Sequence, residues 1–394
     1  MKTWLLLGAT IAAAAIAQPA RKVDAPIMAG PKRTPELIKR LQETTGNTLF
    51  WTEAERDARF PNMESVYPGN VVKARGPVRL LPMGAALKID PATVDGFFTK
   101  WNTAGLIVLK DGKIVFEKYA RGLTPKGRWT SFSVAKSFSS TLVGAAIRDG
   151  KIKSLDDLVT TYIPELGGSG YDGVTVRQLL TMTSGVKWNE NYTDPKSDVA
   201  MMLSIKTAPG EDATVAYMKR LPRESAPGSK WVYKTGETNL IGVLVQRAVK
   251  RPLANYLSDT VFRGAGFEAD GFWMVDPNGT EIAGCCLSLR LRDYARMGQF
   301  ALEGGKGIVP DGWFADATKA HADTGFGPGF GYGYQWWTFP GGLWGGQGIF
   351  GQSITVDPRR RVVIAMLSNW PQATAREQSA ARFAFVQQLL AASD

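Results

Sequence analysis

The sequence predicts an α/β chain of the α+β type: an antiparallel sheet flanked by helices, with an all-helical lobe inserted in it. Two observations carry this. Strand-like apolar runs stand at 106–116 and again at 332–368, while the stretch 151–285 between them holds helical segments and no long strand. A sheet that draws strands from both ends of a chain closes late, with the intervening helices forming a lobe beside it. An active site is expected where the two lobes meet.

Taken in order, residues 1–17 read as a signal peptide. Lys2 supplies the positive start, Trp4 to Ile16 the apolar run, and Ala15-Ile16-Ala17 the small-residue pattern for cleavage after Ala17. The run is too short to anchor in a bilayer, and no cysteine follows it for a lipid. A periplasmic or secreted protein without a stable membrane anchor is the expectation. Residues 18–90, rich in Pro, Arg and Lys, form an N-terminal extension with helices expected at Pro35–Glu43 and around Thr52–Arg59. The main domain then covers 91–394, with the helical lobe at roughly 151–285.

Leu106-Ile107-Val108-Leu109 and Ile114-Val115-Phe116 flank Asp111-Gly112, which fits a hairpin turn. Past the hairpin, apolar residues recur at helical spacing from Val134 through Phe138, Leu142, Ala146 and Ile147. Thr130 and Ser131 are available as caps and Gly150 stands just beyond, so a buried helix is predicted over roughly 133–148.

Ser133 and Lys136 stand three residues apart on that helix and share one face. A hydroxyl is a poor nucleophile at neutral pH, but an amine desolvated in the interior loses proton affinity and can take the hydroxyl proton. The unpaired N–H groups at the helix start sit where an oxyanion would form. The motif is short, and a solvated lysine one turn from a capping serine spells the same letters. The apolar helix around it argues for a lysine at the edge of a core, where a structural lysine is costly.

Further helical segments are predicted at Leu155–Tyr162, Val176–Thr183, Val199–Leu203, Val215–Leu221 and Glu237–Val249, separated by loops of Gly, Pro, Asn and Asp. After Cys286 come a helix over Leu291–Glu303, strands at Tyr332–Phe339, Ser353–Asp357 and Val362–Ser368, and a closing helix over Thr374–Ala391.

Composition narrows the function. A chain of 394 residues with 44% apolar and 21% charged residues can bury a large core. The net charge of +11 is scattered, and its densest cluster, Arg359-Arg360-Arg361, follows Asp357-Pro358 as a turn between strands, so nucleic-acid binding is not expected. Cys285 and Cys286 are adjacent, closer than a relaxed disulfide favours, and two buried thiols are the expectation. With His321 the one histidine, no zinc site is expected. His321 reads as a loop residue, since no G-x-S-x-G elbow accompanies it.

Three groups of residues resemble, in order, the serine β-lactamase and penicillin-recognising superfamily in its class C-like branch. These are Ser133-Val134-Ala135-Lys136, Tyr233-Lys234-Thr235, and Gly346-Gln347-Gly348 at a strand start. The wider phrasing Leu179-Leu180-Thr181-Met182-Thr183-Ser184-Gly185 and Tyr192-Thr193-Asp194-Pro195-Lys196-Ser197-Asp198 is similar to 6-aminohexanoate-dimer hydrolases and their esterase relatives. The resemblance implies a β-lactamase/DD-peptidase-like fold, a proton relay of Tyr233 with Lys136, and an oxyanion hole from the backbone N–H groups of Ser133 and Ile349. It also implies substrate contacts at Tyr192, Asp194, Gln347 and Gly348, with Asp198 a second candidate for binding a substrate amine. Ser197-Asp198-Val199 mimics a class A motif without its final Asn and is read as a decoy. Two departures stand out: Thr235 where β-lactamases carry Asn, and Gly346 where they carry Lys. Those side chains recognise a β-lactam's amide and carboxylate, so efficient β-lactam hydrolysis is not expected.

The function expected is an exported serine hydrolase that forms an acyl-enzyme on Ser133 from small linear amides or carboxylic esters, with no metal or organic cofactor. A β-lactamase or D-Ala-D-Ala peptidase is the alternative within enzymes. A non-catalytic binder of cell-wall peptides or of a partner protein is the alternative outside them, and a binder has no need of a coupled nucleophile and base.

Overall fold

Asp111 at φ +51° and Gly112 at φ +75° both take the left-handed backbone of a two-residue hairpin. The strands they join open the larger of two sheets in the computed structural model, which describes residues 34–36, 39 and 47–394 except 203, 206, 208, 209, 277 and 306. In chain order the strands are β1 Gly69–Val72, β2 Thr103–Lys110, β3 Lys113–Tyr119, β4 Arg128–Thr130, β5 Gly271–Met274 and β6 Leu287–Arg290. They continue as β7 Ala322–Asp323, β8 Gly331–Tyr332, β9 Trp337–Phe339, β10 Leu343–Gln347, β11 Ser353–Asp357 and β12 Val362–Ser368. The larger sheet runs β3-β2-β12-β11-β10-β9-β8-β7, so a strand from the end of the chain lies against the first hairpin. Its neighbours are antiparallel, with Val108 opposite Ile364.

Alternation along β2 and β12 explains why this sheet is covered on both faces. Leu106, Val108, Ile364 and Met366 pack under the helices Pro91–Lys100 and Arg376–Ala391, where Phe97 stacks on Phe385 at 4.0 Å. Ile107, Leu109, Val363 and Ala365 face the opposite way, into the main core. That core holds the helix Leu291–Leu302 and the buried serine helix, Ala135–Arg148.

The second sheet, in the order β1-β5-β6-β4, went unpredicted because its strands are too short to show a period. It matters for the site, since β4 delivers the chain into the serine helix. Backbone strain marks the junction: Phe132, a non-glycine residue, sits at φ +42°. Its ring packs edge-on against Phe60 at 5.0 Å and Phe350 at 5.1 Å, contacts that hold the turn in place.

Several expectations are corrected. Leu155–Tyr162 forms no α-helix but a loop with a single 3-10 turn at Val159–Thr161, because Asp157 accepts from the backbone N–H of Ser154 and the hydroxyl of Tyr162. Tyr332–Phe339 is two strands rather than one, broken at Gln335 (φ +61°), whose backbone and side chain donate to Leu180. Gly346-Gln347-Gly348 ends β10 and turns toward β11 instead of starting a strand. Ser131 does not cap the serine helix, for its hydroxyl accepts from Leu287 N–H at 3.0 Å and donates to the Phe132 carbonyl. Cys285 and Cys286 are bonded to each other, not free thiols, in a turn where Cys286 takes φ +70°. The helix Pro91–Lys100 was overlooked although Asp90 caps it through Ala92 N–H and Pro91 opens it.

The other helices that the sequence predicts start and stop within a few residues of expectation, among them Glu53–Arg59, Ala213–Met218 and Thr235–Val249, whereas Leu253–Leu257 and Trp313–Ala317 were not anticipated. The segment 1–17 expected to be a signal peptide lies outside the described residues, as does most of the helix expected at Pro35–Glu43. Among the described residues no helix is long and apolar enough to cross a membrane.

Candidate active site

Ser133 lies in the 3-10 turn Phe132–Val134, one residue ahead of the serine helix, and is 8% exposed. The turn is pinned to β6 by Ser131 N–H donating to the Leu287 carbonyl at 2.9 Å. Lys136, in the first turn of the helix, is 1% exposed. Its Nζ donates to Ser133 Oγ at 3.1 Å, Thr235 Oγ1 at 3.0 Å and the Gly284 carbonyl at 2.8 Å. Three acceptors saturate an ammonium. Burial nevertheless brings the lysine down to about 8, with the charge of Glu190 pulling the other way.

Each anchor is fixed from behind. Gly284 is held by its own N–H on Asn239 Oδ1 at 2.9 Å, and Asn239 sits in the helix Thr235–Val249. Thr235 starts that helix and gives both of its donors to Glu190, the backbone N–H at 2.9 Å and the hydroxyl in a short contact. Glu190 also accepts from the Trp188 indole and, at 2.9 Å, from the Tyr192 hydroxyl. Four donors on two oxygens fill the carboxylate's capacity.

The Gly284 carbonyl has no proton, and the proton of Thr235 is committed to Glu190. When Lys136 is neutral, two of its N–H bonds stay on those acceptors and its lone pair is left facing the Ser133 hydroxyl.

Tyr233 completes the group. Lys136 Nζ lies 5.2 Å from the centre of its ring, the Ser133 hydroxyl acts on its phenol, and the ring stacks on Trp337 at 5.6 Å. Burial first, then the Glu190 charge, pushes the phenol well above its ordinary value, and the nearby Ser133 hydroxyl offsets part of this. Tyr192 and Tyr332 are pushed up by the same surroundings. Around neutral pH all three carry their protons. Lys234, between the two site residues, turns inward and lies 3.7 Å from Glu237, both side chains fully buried.

Ser133, Thr235, Tyr192 and Ile349 line one pocket, enclosing roughly 810 Å³ with its open mouth included. Asn47, Leu49 and Tyr67 from the N-terminal segment line it too, which nothing in their sequence signals. Asp194 is elsewhere, accepting Lys196 N–H in its own turn, and Asp198 accepts from Asn189 N–H and the Tyr217 hydroxyl. Gln347 is turned toward Arg382, which donates to its Oε1. Gly348 packs so closely that a Cβ there would meet the Ser131 carbonyl at 2.8 Å. A Cβ on Gly346 would meet Ser137 Oγ at 2.9 Å, so a side chain at 346 would require the Ser137 hydroxyl to move. His321 stacks on Tyr334 at 4.4 Å and bonds to the Asp316 carbonyl. Among the described residues no three His, Cys, Asp or Glu side chains gather as a metal site.

Glu190 is the participant that the sequence reading missed. The one signal available was its place in Trp188-Asn189-Glu190-Asn191-Tyr192, between two aromatic donors.

The chain is similar to several known proteins. Residues 98–389 match the beta-lactamase family model. A 6-aminohexanoate-dimer hydrolase from Paenarthrobacter ureafaciens is 31% identical over 333 residues, covering 75% of this chain and 84% of that protein. A beta-lactamase from Pseudomonas fluorescens is 25% identical over 190 residues, 46% of this chain and 49% of its own. Among solved structures, EstCE1, a hydrolase with promiscuous acyltransferase activity, shares the fold with a TM-score of 0.62 at 16% identity, covering 77% of this chain and 97% of that one.

Proposed function

Because the chain belongs to the beta-lactamase family, we propose that it is a serine hydrolase that cleaves linear amides or carboxylic esters through an acyl-enzyme on Ser133. The observation that carries the reading is the hydrogen-bond set of Lys136, which leaves the lone pair of the neutral amine no partner but the Ser133 hydroxyl.

In the first half-reaction Lys136 takes the proton as Ser133 Oγ attacks the carbonyl carbon. The backbone N–H groups of Ser133 and Ile349 receive the oxyanion. The proton then passes from Lys136 through the Tyr233 hydroxyl to the departing nitrogen or oxygen, and the carbon–heteroatom bond breaks. Tyr233 acts as a proton-bearing relay here, since its phenol sits too high to serve as a resident phenolate. In the second half-reaction water takes the place of the leaving group, and the same residues return the proton to Ser133 Oγ. The hydrolase domain is assigned to residues 91–394, with its helical lobe at roughly 151–285, and export to the periplasm or medium to residues 1–17.

Linear substrates are favoured over β-lactams because position 346 carries no cation, and a side chain there would have to displace the Ser137 hydroxyl. The name of the Paenarthrobacter relative points the same way, toward an amide of a linear amino acid.

The test is intact-mass analysis after treatment with a serine-directed phosphonate, alongside turnover of a p-nitrophenyl ester, a 6-aminohexanoate dimer and a chromogenic cephalosporin. Labelling at Ser133 with turnover of the ester or the linear amide is expected. Fast cephalosporin opening would overturn the substrate assignment, and neither labelling nor turnover would overturn the enzyme itself.

A further inference from the structure

Phe132 and Phe350 stand next to Ser133 and Ile349, the two residues whose N–H groups receive the oxyanion in the proposed reaction. Both rings pack on Phe60, at 5.0 Å and 5.6 Å, and on each other at 5.1 Å. Phe60 belongs to the N-terminal extension and is fully buried. The Ile349 N–H donates to no described residue. On the far side of the same turn the Ile349 carbonyl accepts from Thr374 N–H at 2.8 Å, and the Phe350 carbonyl from Trp370 N–H at 3.1 Å. The segment 369–374 therefore sets where the Ile349 peptide points.

Arg56, in the extension helix Glu53–Arg59, holds that segment from behind and is 4% exposed. Its Nε donates to Asn369 Oδ1 at 2.6 Å, its Nη2 to the Trp370 and Pro371 carbonyls, both at 3.0 Å, and its Nη1 to the Trp51 carbonyl at 2.6 Å. Its Cζ lies 4.5 Å from the centre of the Phe350 ring. Asn369 returns to the same helix, donating to the Glu53 carbonyl at 3.0 Å and to Asp57 Oδ1 at 2.7 Å. All four acceptors of Arg56 are neutral oxygens, and Glu53 and Asp57 favour its charge only from further away. An apolar side chain of similar volume would fill this space without desolvating a charge. What the planar guanidinium adds is direction, because its fixed fork orients residues 369–371 together.

We propose that Arg56 is a positioning residue for the oxyanion hole: through Trp370 and Phe350 it holds the Ile349 N–H on the reacting carbonyl, which makes the N-terminal extension part of the catalytic apparatus. The proposal rests on the serine-hydrolase reading and on Ile349 as an oxyanion donor. Arg56 touches no reacting atom. Without its fork the segment 369–371 is free to shift and the Ile349 peptide shifts with it, and an N–H···O bond weakens steeply once its angle is lost. The cost falls on the transition state, where the oxyanion forms. Ser133 and Lys136 are fixed by other contacts, at Leu287, Gly284 and Thr235, so substrate binding and the titration of the lysine are left as they are.

The experiment is hydrolysis of p-nitrophenyl hexanoate and of its thiono analogue by the full-length wild type, Arg56→Lys and Arg56→Ala, with circular dichroism on each. Sulfur accepts hydrogen bonds more weakly than the carbonyl oxygen it replaces, so the oxygen-over-sulfur ratio of kcat/KM reports on the oxyanion donors. Both variants are expected to lose at least about tenfold in kcat, a fraction of what a whole donor contributes, with KM within about twofold. The oxygen-over-sulfur ratio should fall by at least about fivefold, and the pH inflection should stay at about 8. Guanidinium chloride should restore part of the activity of Arg56→Ala where an equal concentration of sodium chloride does not. Folded variants with a wild-type kcat, or with a lower kcat at an unchanged ratio, overturn the proposal. So does failure of both variants to fold, which assigns Arg56 to the fold alone. A wild type with neither phosphonate labelling nor turnover removes the hydrolase and this role together, whereas wild-type turnover with an unchanged ratio in the variants removes only the role.

Discussion

Replacing Glu190 by glutamine tests how the lysine is tuned. Two hydrogen bonds in series, through Thr235 Oγ1, join Lys136 Nζ to the Glu190 carboxylate, which puts the charges within roughly 6 Å of each other. At an effective dielectric near 20 that separation is worth about 3 kcal/mol, or about two pKa units as a ceiling. Glu190 is partly exposed, and screening reduces the effect to about one unit. The carboxylate raises the lysine, so its removal lowers a base already brought to about 8 by burial.

The sign for activity follows from which form reacts. Only neutral Lys136 accepts the serine proton, so kcat/KM of the wild type should climb with pH and level off above about 8. In Glu190→Gln the inflection should move down by about one unit. The plateau should also fall, because an amide offers one acceptor oxygen where the Trp188, Tyr192 and Thr235 donors now share two. The assay is kcat/KM for p-nitrophenyl hexanoate at closely spaced pH values, with folding checked by circular dichroism. A lower plateau alone would follow from mere loosening of the loop. An unmoved inflection in a folded variant would refute the electrostatic argument.

Three further outcomes are expected. Ser133→Ala should abolish turnover and phosphonate labelling with an unchanged far-ultraviolet spectrum, and wild-type-like hydrolysis by that variant would move the nucleophile elsewhere. Tyr233→Phe should slow amide cleavage by at least about tenfold more than p-nitrophenyl ester cleavage, because nitrophenolate departs without a proton and an amine does not; equal losses would argue against the relay. Gly346→Ala places a methyl against Ser137 Oγ and should cost about 1–3 kcal/mol in urea denaturation, with no gain in cephalosporin turnover, whereas a neutral change would show that the serine helix yields.

The arrangement around Lys136 also gives a reason for Thr235 standing where β-lactamases carry asparagine. A threonine hydroxyl accepts from the lysine and donates to Glu190 at once. Thr235 and Glu190 thus work as a unit, and the departure at one position is intelligible only with the other in view.

How much of this was legible beforehand depends on the range over which each feature is encoded. Ser133 and Lys136 were readable because three-residue spacing on a helix is a local fact, and the serine helix announces itself by a run of apolar residues with period 3.6. Strands β2, β3, β11 and β12 were readable because each is a β-branched, apolar run bounded by turn residues. Even the missed helix Pro91–Lys100 carried a local sign in Asp90-Pro91. What the tertiary structure alone decided involves residues far apart in sequence. Glu190 meets Thr235 across 45 positions, Gly284 meets Lys136 across 148, and Asp276 faces the same pocket as Leu49. No spacing rule reaches that far, because such contacts are set by how the lobes pack and not by the pitch of any one element. The sequence by itself determined the Ser133–Lys136 pair and the antiparallel sheet flanked by helices. Packing decided which carboxylates stand behind them, and a buried charge acts through distance in space rather than position along the chain.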